Sequence, residues 1–269
     1  MAKASFAIII PARYASKRFP GKPLVSLRGT SGIEKSLIQR SWECASSVPG
    51  CAGVWVATDD DRIAAEVELF GGQVIMTSSD CANGTERCAE AVSKLPSVPE
   101  VIVNFQGDAP LSPAFVVEKL VERLENDPEA AMATPAVRCS PSVYRHLAAD
   151  ASEGRVGGTT AVFNRSYRAH YFSKRIIPYL PDEVAGGDDV PVHLHLGLYA
   201  YRPEALKRYL AASASELELL EGLEQLRFLD LGLAVSVVQL DALGWDSIEL
   251  NNPSDVPAIE RVLAERGIH

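Results

Sequence analysis

The chain lacks any long hydrophobic run: no stretch of its 269 residues reaches 18 consecutive apolar residues, so no membrane-spanning helix is predicted. A secretory signal is not predicted either. The apolar run near the N-terminus is too short, and the basic residues follow it, whereas in a signal they precede it. Lys and Arg, at 26, are outnumbered by 35 Asp and Glu, and the formal net charge is −9. This balance argues against nucleic acid as the main partner.

Cysteine is scarce as well, at five residues, and no two of them form a C-x-x-C pair. An odd set without such spacing indicates reduced thiols, so we expect a cytoplasmic protein. The chain has no internal repeat, no P-loop and no G-x-G-x-x-G motif. If the chain binds phosphate, we expect side chains to contribute more of the contacts than the backbone of a glycine-rich loop.

What the sequence does contain is an alternation of short β-rich runs with helical patterns. Strands are predicted at 6–10, 54–58, 73–76, 101–105 and 132–137, and helices at 33–47, 60–70, 85–95 and 113–126. Such an alternation predicts right-handed crossovers and a mostly parallel sheet. Further on, we expect strands at 161–163, 194–201 and 234–240, and helices near 203–211, near 215–232 and after Pro253. The whole chain is predicted to be one domain with a smaller lobe near 138–194, where the loops are long.

The most informative segment is the basic loop that follows the first predicted strand. Arg13, Lys17, Arg18 and Lys22 lie within ten residues of one another, directly after an apolar run that Pro11 ends. Ligands of open α/β sheets bind at the carboxyl ends of the strands, and Arg and Lys are the usual partners of phosphate oxygens. A triphosphate site is therefore predicted here, and a solvated basic surface loop is the alternative.

A second polar turn follows the predicted strand at 101–105. Gly107 allows close backbone approach, and Asp108 then lies at the carboxyl end of the strand. A carboxylate that faces bound phosphates repels them unless a cation lies between, and Mg²⁺ is commonly held by one or two carboxylates together with phosphate oxygens. Asp108 is thus a predicted Mg²⁺ ligand, or else it caps the next helix. Asn83 and Thr85 begin another helix, where capping is the better interpretation.

Seven segments together resemble one enzyme family, the CMP-Kdo synthetases, or 3-deoxy-manno-octulosonate cytidylyltransferases. They are PARYASKRFPGKPL at 11–24, VATDD at 56–60, GTER at 84–87, VNFQGD at 103–108, YFS at 171–173, HLGLYAYR at 195–202 and LEQLR at 223–227. They occur in the family's order and extend over nearly the whole chain. The resemblance implies a three-layer α/β/α sandwich with a Rossmann-like sheet, a homodimer, and transfer of CMP from CTP to an acidic sugar with release of pyrophosphate.

The resemblance also implies residue roles. Arg13, Arg18, Lys22 and Asp108 match catalytic residues that neutralise the phosphates, and Asp108 with Asn251 matches the metal site. The residues that match the nucleotide site are Ala12, Arg13, Arg18, Lys22, Gly84, Thr85, Arg87 and Gln106. Those that match the sugar site are Lys174, His195, Tyr199, Glu224 and Gln225.

The chain departs from the family pattern at a few of these positions. Asn251 stands where the family has a second metal-binding Asp, and Glu249 is an alternative ligand. Cys81 and Asn83 stand where the family has His and Ser. Two alternatives to a CMP-Kdo synthetase remain: a CMP-sialic-acid-type synthetase, and a nucleotide-binding paralogue without catalysis. The sequence leaves open which ulosonic acid is activated and which pathway the enzyme serves.

Overall fold

The computed structural model describes residues 4–15, 19–241, 250 and 252–269. Its strands are β1 Phe6–Ala12, β2 Ser26–Arg28, β3 Glu34–Ser36, β4 Cys51–Thr58, β5 Gln73–Met76, β6 Val101–Asn104, β7 Met132–Arg138, β8 Thr159–Phe163, β9 Ala169–Ser173, β10 His193–His195, β11 Tyr199–Tyr201 and β12 Val235–Leu240. Its α-helices are α1 Leu37–Ser46, α2 Asp61–Leu69, α3 Gly84–Val92, α4 Ala114–Asn126, α5 Pro141–Ser152, α6 Asp182–Ala185, α7 Pro203–Ala211, α8 Glu216–Glu221, α9 Leu226–Asp230 and α10 Val256–Glu265.

One large sheet organises the chain, in the order β5-β4-β1-β6-β11-β7, with β12 beside β7. The strands β5, β4, β1, β6, β7 and β12 run in one direction, whereas β11 pairs antiparallel with both β6 and β7. β10 continues along β7, and β8 and β9 extend the sheet from it in antiparallel pairs. The predicted mostly parallel sheet is confirmed.

Helices cover both faces of this sheet, because successive side chains of a buried strand point to opposite faces. Ile8 and Ile10 of β1 pack with buried residues of α1, α2 and α4 on one face. Ile9 lies on the other face, in a cluster with buried residues of α3, α7 and α9. This is the expected three-layer α/β/α sandwich. Within the described ranges, no helix is long and apolar enough to cross a membrane.

Two of the predicted helices differ from the observed ones. The helix expected at 33–47 begins only at Leu37, because 34–36 form a hairpin with 26–28 and the Ser36 side chain caps α1. The helix expected at 215–232 is two helices, since Gly222 has the left-handed φ of 60° at the C-cap of α8. This break produces the turn that carries Glu224 and Gln225.

The region between 138 and 194 contains α5, α6, β8, β9 and most of β10. The α5 helix has a Ser140 side-chain cap and a proline at its first position. A small apolar cluster of its own, including Leu147, Val190 and Val192, packs within this region. The boundary of a separate lobe there stays a prediction.

Candidate active site

The predicted phosphate loop and the predicted metal ligand lie at the same edge of the sheet. β1, β4 and β6 are parallel neighbours, and their registers place Ala12 beside Thr58 and Ile9 beside Asn104. The loops that leave these strands therefore meet at one edge, as the crevice rule for parallel sheets requires. Ser41 donates a hydrogen bond from Oγ to the Gly107 carbonyl at 2.9 Å and so holds the turn after β6 against α1.

A cavity of about 600 Å³ opens at this edge. Of the residues expected to bind nucleotide or phosphate, seven line it: Ala12, Arg13, Lys22, Gly84, Arg87, Gln106 and Asp108. Arg13 is exposed and has no ion-pair partner among the described residues. Arg18 lies outside the described residues.

Asp108 and Lys22 form the closest charged pair of this cavity, with Lys22 Nζ 2.5 Å from Asp108 Oδ2. Both side chains are partly exposed, at 16% for Lys22 and 24% for Asp108, so a ligand can reach either. A second contact fixes the backbone here: the Leu250 amide donates to the Asp108 carbonyl at 2.9 Å. Leu250, on the N-terminal side of α10, therefore lies directly beside Asp108.

Arg87 is held at the end of the neighbouring strands. Its side chain is almost fully buried and pairs with Asp59 at 3.2 Å, while its Nη1 donates to Thr77 Oγ1 at 2.5 Å. Asp59 and Thr77 follow β4 and β5 directly. Because both partners come from rigid strand ends, the guanidinium is preorganised at the wall of the cavity.

Thr85 does not line the cavity, although the sequence places it in the nucleotide site. It is fully buried; its hydroxyl hydrogen-bonds to Tyr201 Oη at 2.8 Å and its amide donates to Glu224 Oε2 at 3.0 Å. The start of α3 is thus already occupied by a carboxylate of this chain. Burial raises the pKa of Glu224, and the amide hydrogen bond partly offsets that shift. Thr85 therefore supports the start of α3 from its buried side and does not face the cavity.

A second cavity of about 640 Å³ adjoins the first. Of the predicted sugar-site residues, Tyr199, Glu224 and Gln225 line it. The two cavities share five lining residues: Ala82, Asn83, Gln106, Asp108 and Gly222. Gln225 is 1% exposed, accepts a hydrogen bond from Tyr199 Oη at 3.3 Å, and keeps Nε2 without a partner among the described residues. Asp108 therefore stands where the two cavities meet.

His195 lies outside the wall of this second cavity. The hydroxyl of Thr134 donates to the Leu198 carbonyl at 2.9 Å, so it accepts from His195 Nε2 at 2.8 Å and Nε2 carries the proton. Burial lowers the pKa of His195 to about 3. Its ring packs 5.6 Å from that of Tyr199. This neutral histidine supports Tyr199.

Lys174 lines neither cavity, but it reaches a residue that lines both. It is exposed, and its Nζ is 2.9 Å from the point that a Cβ on Gly222 would occupy. Gly222 lines both cavities. The ammonium group of Lys174 therefore lies next to the junction of the two cavities, and its role at the sugar site stays a prediction.

The sequence reasoning missed a network of charged side chains in the wall of the second cavity. Arg227 pairs with Glu218 at 2.6 Å and with Glu86 at 3.0 Å, and its guanidinium lies over the ring of Tyr209. These residues anchor α8 and α9 to α3. The S-x-x-E pattern at Ser215 and Glu218 was a signal for the start of α8, and its capping box is present.

Among the described residues that line the first cavity, Asp108 is the one carboxylate that a divalent cation could use. The described residues contain no group of three or more His, Cys, Asp or Glu side chains that could hold a metal. Asp108 is one carboxylate at the edge of a cavity with cationic walls, and such a site suits Mg²⁺ only when phosphate oxygens complete the shell. Asn251 and Glu249 lie outside the described residues. The donors present thus fit a metal that arrives with a nucleotide.

Known proteins show the same organisation. The model of the cytidylyltransferase family matches residues 7–235. The chain is 43% identical to the 3-deoxy-manno-octulosonate cytidylyltransferase of Maricaulis maris over 98% of both chains. It is 40% identical to the enzyme of the same name from Chlamydia pneumoniae, over 95% of this chain and 92% of that one.

Among solved structures, CMP:2-keto-3-deoxy-manno-octonic acid synthetase complexed with CTP superposes with a TM-score of 0.83 and 33% identity. The match covers 98% of this chain and all of the other. Sequence and structure thus agree over nearly the full length, and the chain belongs to the 3-deoxy-manno-octulosonate cytidylyltransferase family.

Proposed function

We propose that this enzyme transfers the cytidylyl group of CTP to 3-deoxy-manno-octulosonate (Kdo) or a closely related ulosonic acid, in a Mg²⁺-dependent reaction. The observation that carries the proposal is the meeting of two cavities at Asp108. One cavity has Arg13, Lys22 and Arg87 in its wall, and the other has Tyr199, Glu224 and Gln225. The names of the relatives supply the identity of the two substrates.

In this reaction the anomeric hydroxyl oxygen of the sugar forms a bond to the α-phosphorus of CTP. The bond from that phosphorus to the oxygen bridging the α- and β-phosphates breaks, pyrophosphate leaves, and the hydroxyl proton is lost to solvent. Arg13 and Lys22 bind phosphate oxygens and neutralise the charge that develops on the leaving group. A bound Mg²⁺ would supply further charge neutralisation and alignment of the phosphates, held by Asp108.

The proposal gives separate tasks to the other residues. Arg87 and the start of α3 shape the wall of the nucleotide cavity, while Gln225 offers an unpaired amide to the acidic sugar. The reaction needs no covalent enzyme intermediate. Holding the two reactants in alignment can therefore supply a large part of the reduction in the activation barrier. The turn at 106–108 has contact with both cavities and thereby sets their relative position.

The direct test is the release of pyrophosphate from CTP. It should be measured with Kdo, with its 8-amino analogue and with sialic acid, each with and without Mg²⁺. We expect turnover with Kdo or the amino analogue, and loss of turnover when the metal is removed. Preference for sialic acid would indicate the CMP-sialic-acid-type alternative, and CTP binding without turnover of any acid would indicate a non-catalytic paralogue.

We further propose that the enzyme is a homodimer that acts in the cytoplasm. Both properties rest on the family resemblance and, for the compartment, on the free cysteines: Cys44, Cys51, Cys81, Cys88 and Cys139 are all unpaired. Sedimentation equilibrium should give twice the chain mass of 29.0 kDa. A single species at the chain mass would contradict the dimer.

A further inference from the structure

Asn83 stands at the junction of the two cavities and lines both of them. Its carboxamide has two separate tasks. Oδ1 accepts a hydrogen bond from the Glu86 amide at 2.8 Å and so caps α3. Nδ2 donates to Tyr209 Oη at 2.9 Å and reaches Glu218 Oε1 at 3.4 Å. One side chain thus joins the loop of the nucleotide cavity to the two helices α7 and α8.

The contact continues into a closed ring. Glu218 accepts two hydrogen bonds from Arg227, at 2.6 Å and 2.7 Å. Arg227 also donates to Glu86 Oε1 at 3.0 Å, and Glu86 Oε2 accepts from the Ala82 amide at 2.8 Å. The ring therefore returns to the segment that contains Asn83. Arg227 and Glu218 are 3% and 6% exposed, so these bonds are shielded from water.

Charge explains why the Nδ2 donor matters. The ring holds two carboxylates, Glu86 and Glu218, against one guanidinium. A buried carboxylate needs hydrogen-bond donors to remain stable, and Asn83 and the Tyr209 hydroxyl supply them to Glu218. A serine at position 83 could still cap α3, but it has no second arm to reach Tyr209 and Glu218.

A second tether runs parallel to the first. Glu224, in the turn between α8 and α9, accepts the amide of Thr85. The start of α3 is thereby attached at two points to the helices that build the second cavity. Ala82, Asn83 and Gly84 in turn form part of the nucleotide cavity wall. A displacement of α8 and α9 is passed directly to that wall.

We propose that Asn83 is a positioning residue that couples the two cavities, so that each substrate binds more tightly when the other is present. The inference rests on the proposed function, because it takes CTP and a ulosonic acid as the two occupants. Coupling of this kind is reciprocal: the factor by which one ligand raises the affinity for the other is the same in both directions.

The test measures CTP affinity by titration calorimetry, without and with a saturating 2-deoxy analogue of Kdo. The analogue lacks the anomeric hydroxyl and cannot react. For the unmodified enzyme we expect the analogue to lower the CTP dissociation constant by about fivefold or more. A factor of about five is the lower end of the range observed for coupled sites. In Asn83→Ser the factor should shrink to below about twofold, while the melting temperature stays within a few degrees because the helix cap persists.

Two further variants separate coupling from folding. Tyr209→Phe removes the hydroxyl at the other end of the same contact, so it should reduce the factor similarly. Its combination with Asn83→Ser should reduce the factor no further. The control is Ser140→Asn, which makes the reverse exchange between serine and asparagine at the N-cap of α5, outside both cavities. It should leave the coupling factor unchanged.

Equal CTP affinity with and without the analogue in the unmodified enzyme would overturn the proposal, as would full coupling in both Asn83→Ser and Tyr209→Phe. These titrations require no turnover. Coupled binding without pyrophosphate release would therefore refute the proposed function and leave the coupling inference standing.

Discussion

At the scale of single residues, the wall of the first cavity contains an ion pair between Lys22 and Asp108. Lys22 and Asp108 neutralise each other across 2.5 Å. In the proposed complex with CTP and Mg²⁺, the phosphates would compete for Lys22 and the cation would compete for Asp108. The ion pair therefore compensates both charges before the substrate arrives. Because Lys22 already neutralises Asp108, we expect Mg²⁺ to bind weakly in the absence of nucleotide.

The first prediction concerns Asp108→Asn. The amide keeps the shape of the side chain and removes the one carboxylate at the meeting point of the cavities, so kcat should fall roughly hundredfold to thousandfold. Steady-state release of pyrophosphate measures it. Asp188→Asn, an exposed position between α6 and β10, is the control and should keep full activity. Full activity in Asp108→Asn would place the metal site elsewhere.

The second prediction concerns Gln225→Ala. Its buried Nε2 has no partner among the described residues, so we expect it to donate to the acidic sugar. Loss of a hydrogen bond to a charged group costs about 1.5–3 kcal/mol, which weakens sugar binding roughly tenfold to hundredfold. Calorimetry with each ligand separately should show CTP binding nearly unchanged. Gln239→Ala on β12, at an exposed position, is the control. Weakened CTP binding with normal sugar binding would mean that the two cavities are assigned in reverse.

At the scale of elements, the sequence predicted regular strands and helices better than the turns that carry site residues. The boundaries of β5 and α7 agree with the predicted 73–76 and 203–211, because burial and periodicity fix such elements. The break at Gly222 was missed, since a glycine within a leucine-rich pattern does not reveal its φ. Likewise, His195 and Tyr199 were expected on a single strand at 194–201, yet 196–198 interrupt it. The two rings still lie with their centroids 5.6 Å apart.

The third prediction tests the anchor of α8 and α9. Arg227→Met removes the cation and leaves Glu218 buried beside Glu86, so the free energy of unfolding should fall by about 3–5 kcal/mol. Urea unfolding followed by circular dichroism measures this. Lys207→Met breaks an exposed ion pair with Glu204 and should change stability by less than about 1 kcal/mol. Equal stability of the two variants would show that Arg227 does not hold these helices.

At the scale of the whole molecule, one ion pair joins distant parts of the sheet. Arg168 lies between β8 and β9, and its Nη2 donates to Asp127, at the end of α4, at 2.6 Å. Ser236 of β12 donates to the same carboxylate at 3.3 Å. Sequence patterns locate each of these segments but not their meeting, because the contacts span 41 and 109 positions of the chain. Long-range pairs of this kind are set by topology.

The last prediction follows from the charge of Asp127. Hydrogen bonding from Arg168 lowers the pKa of this carboxyl group below its ordinary value of 3.8. The unfolded chain therefore takes up the proton first, and the stabilisation is present above about pH 4 and is lost as the pH falls through the folded-state pKa. Asp127→Asn removes a hydrogen bond between charged groups and should thus be less stable than the unmodified protein at pH 7, by about 1.5–3 kcal/mol. The two should begin to converge as the pH falls below about 4. Urea unfolding across this pH range measures the difference.

The matched control is Asp189→Asn, which makes the same exchange in an ion pair with Arg138 where the carboxylate is 80% exposed. Water already solvates that carboxylate, so its loss should change stability by less than about 1 kcal/mol at either pH. A constant difference between Asp127→Asn and the unmodified protein from pH 7 to pH 3 would contradict the prediction. It would mean that Asp127 acts through shape and neutral hydrogen bonds, since only a charge effect disappears when the carboxylate is protonated.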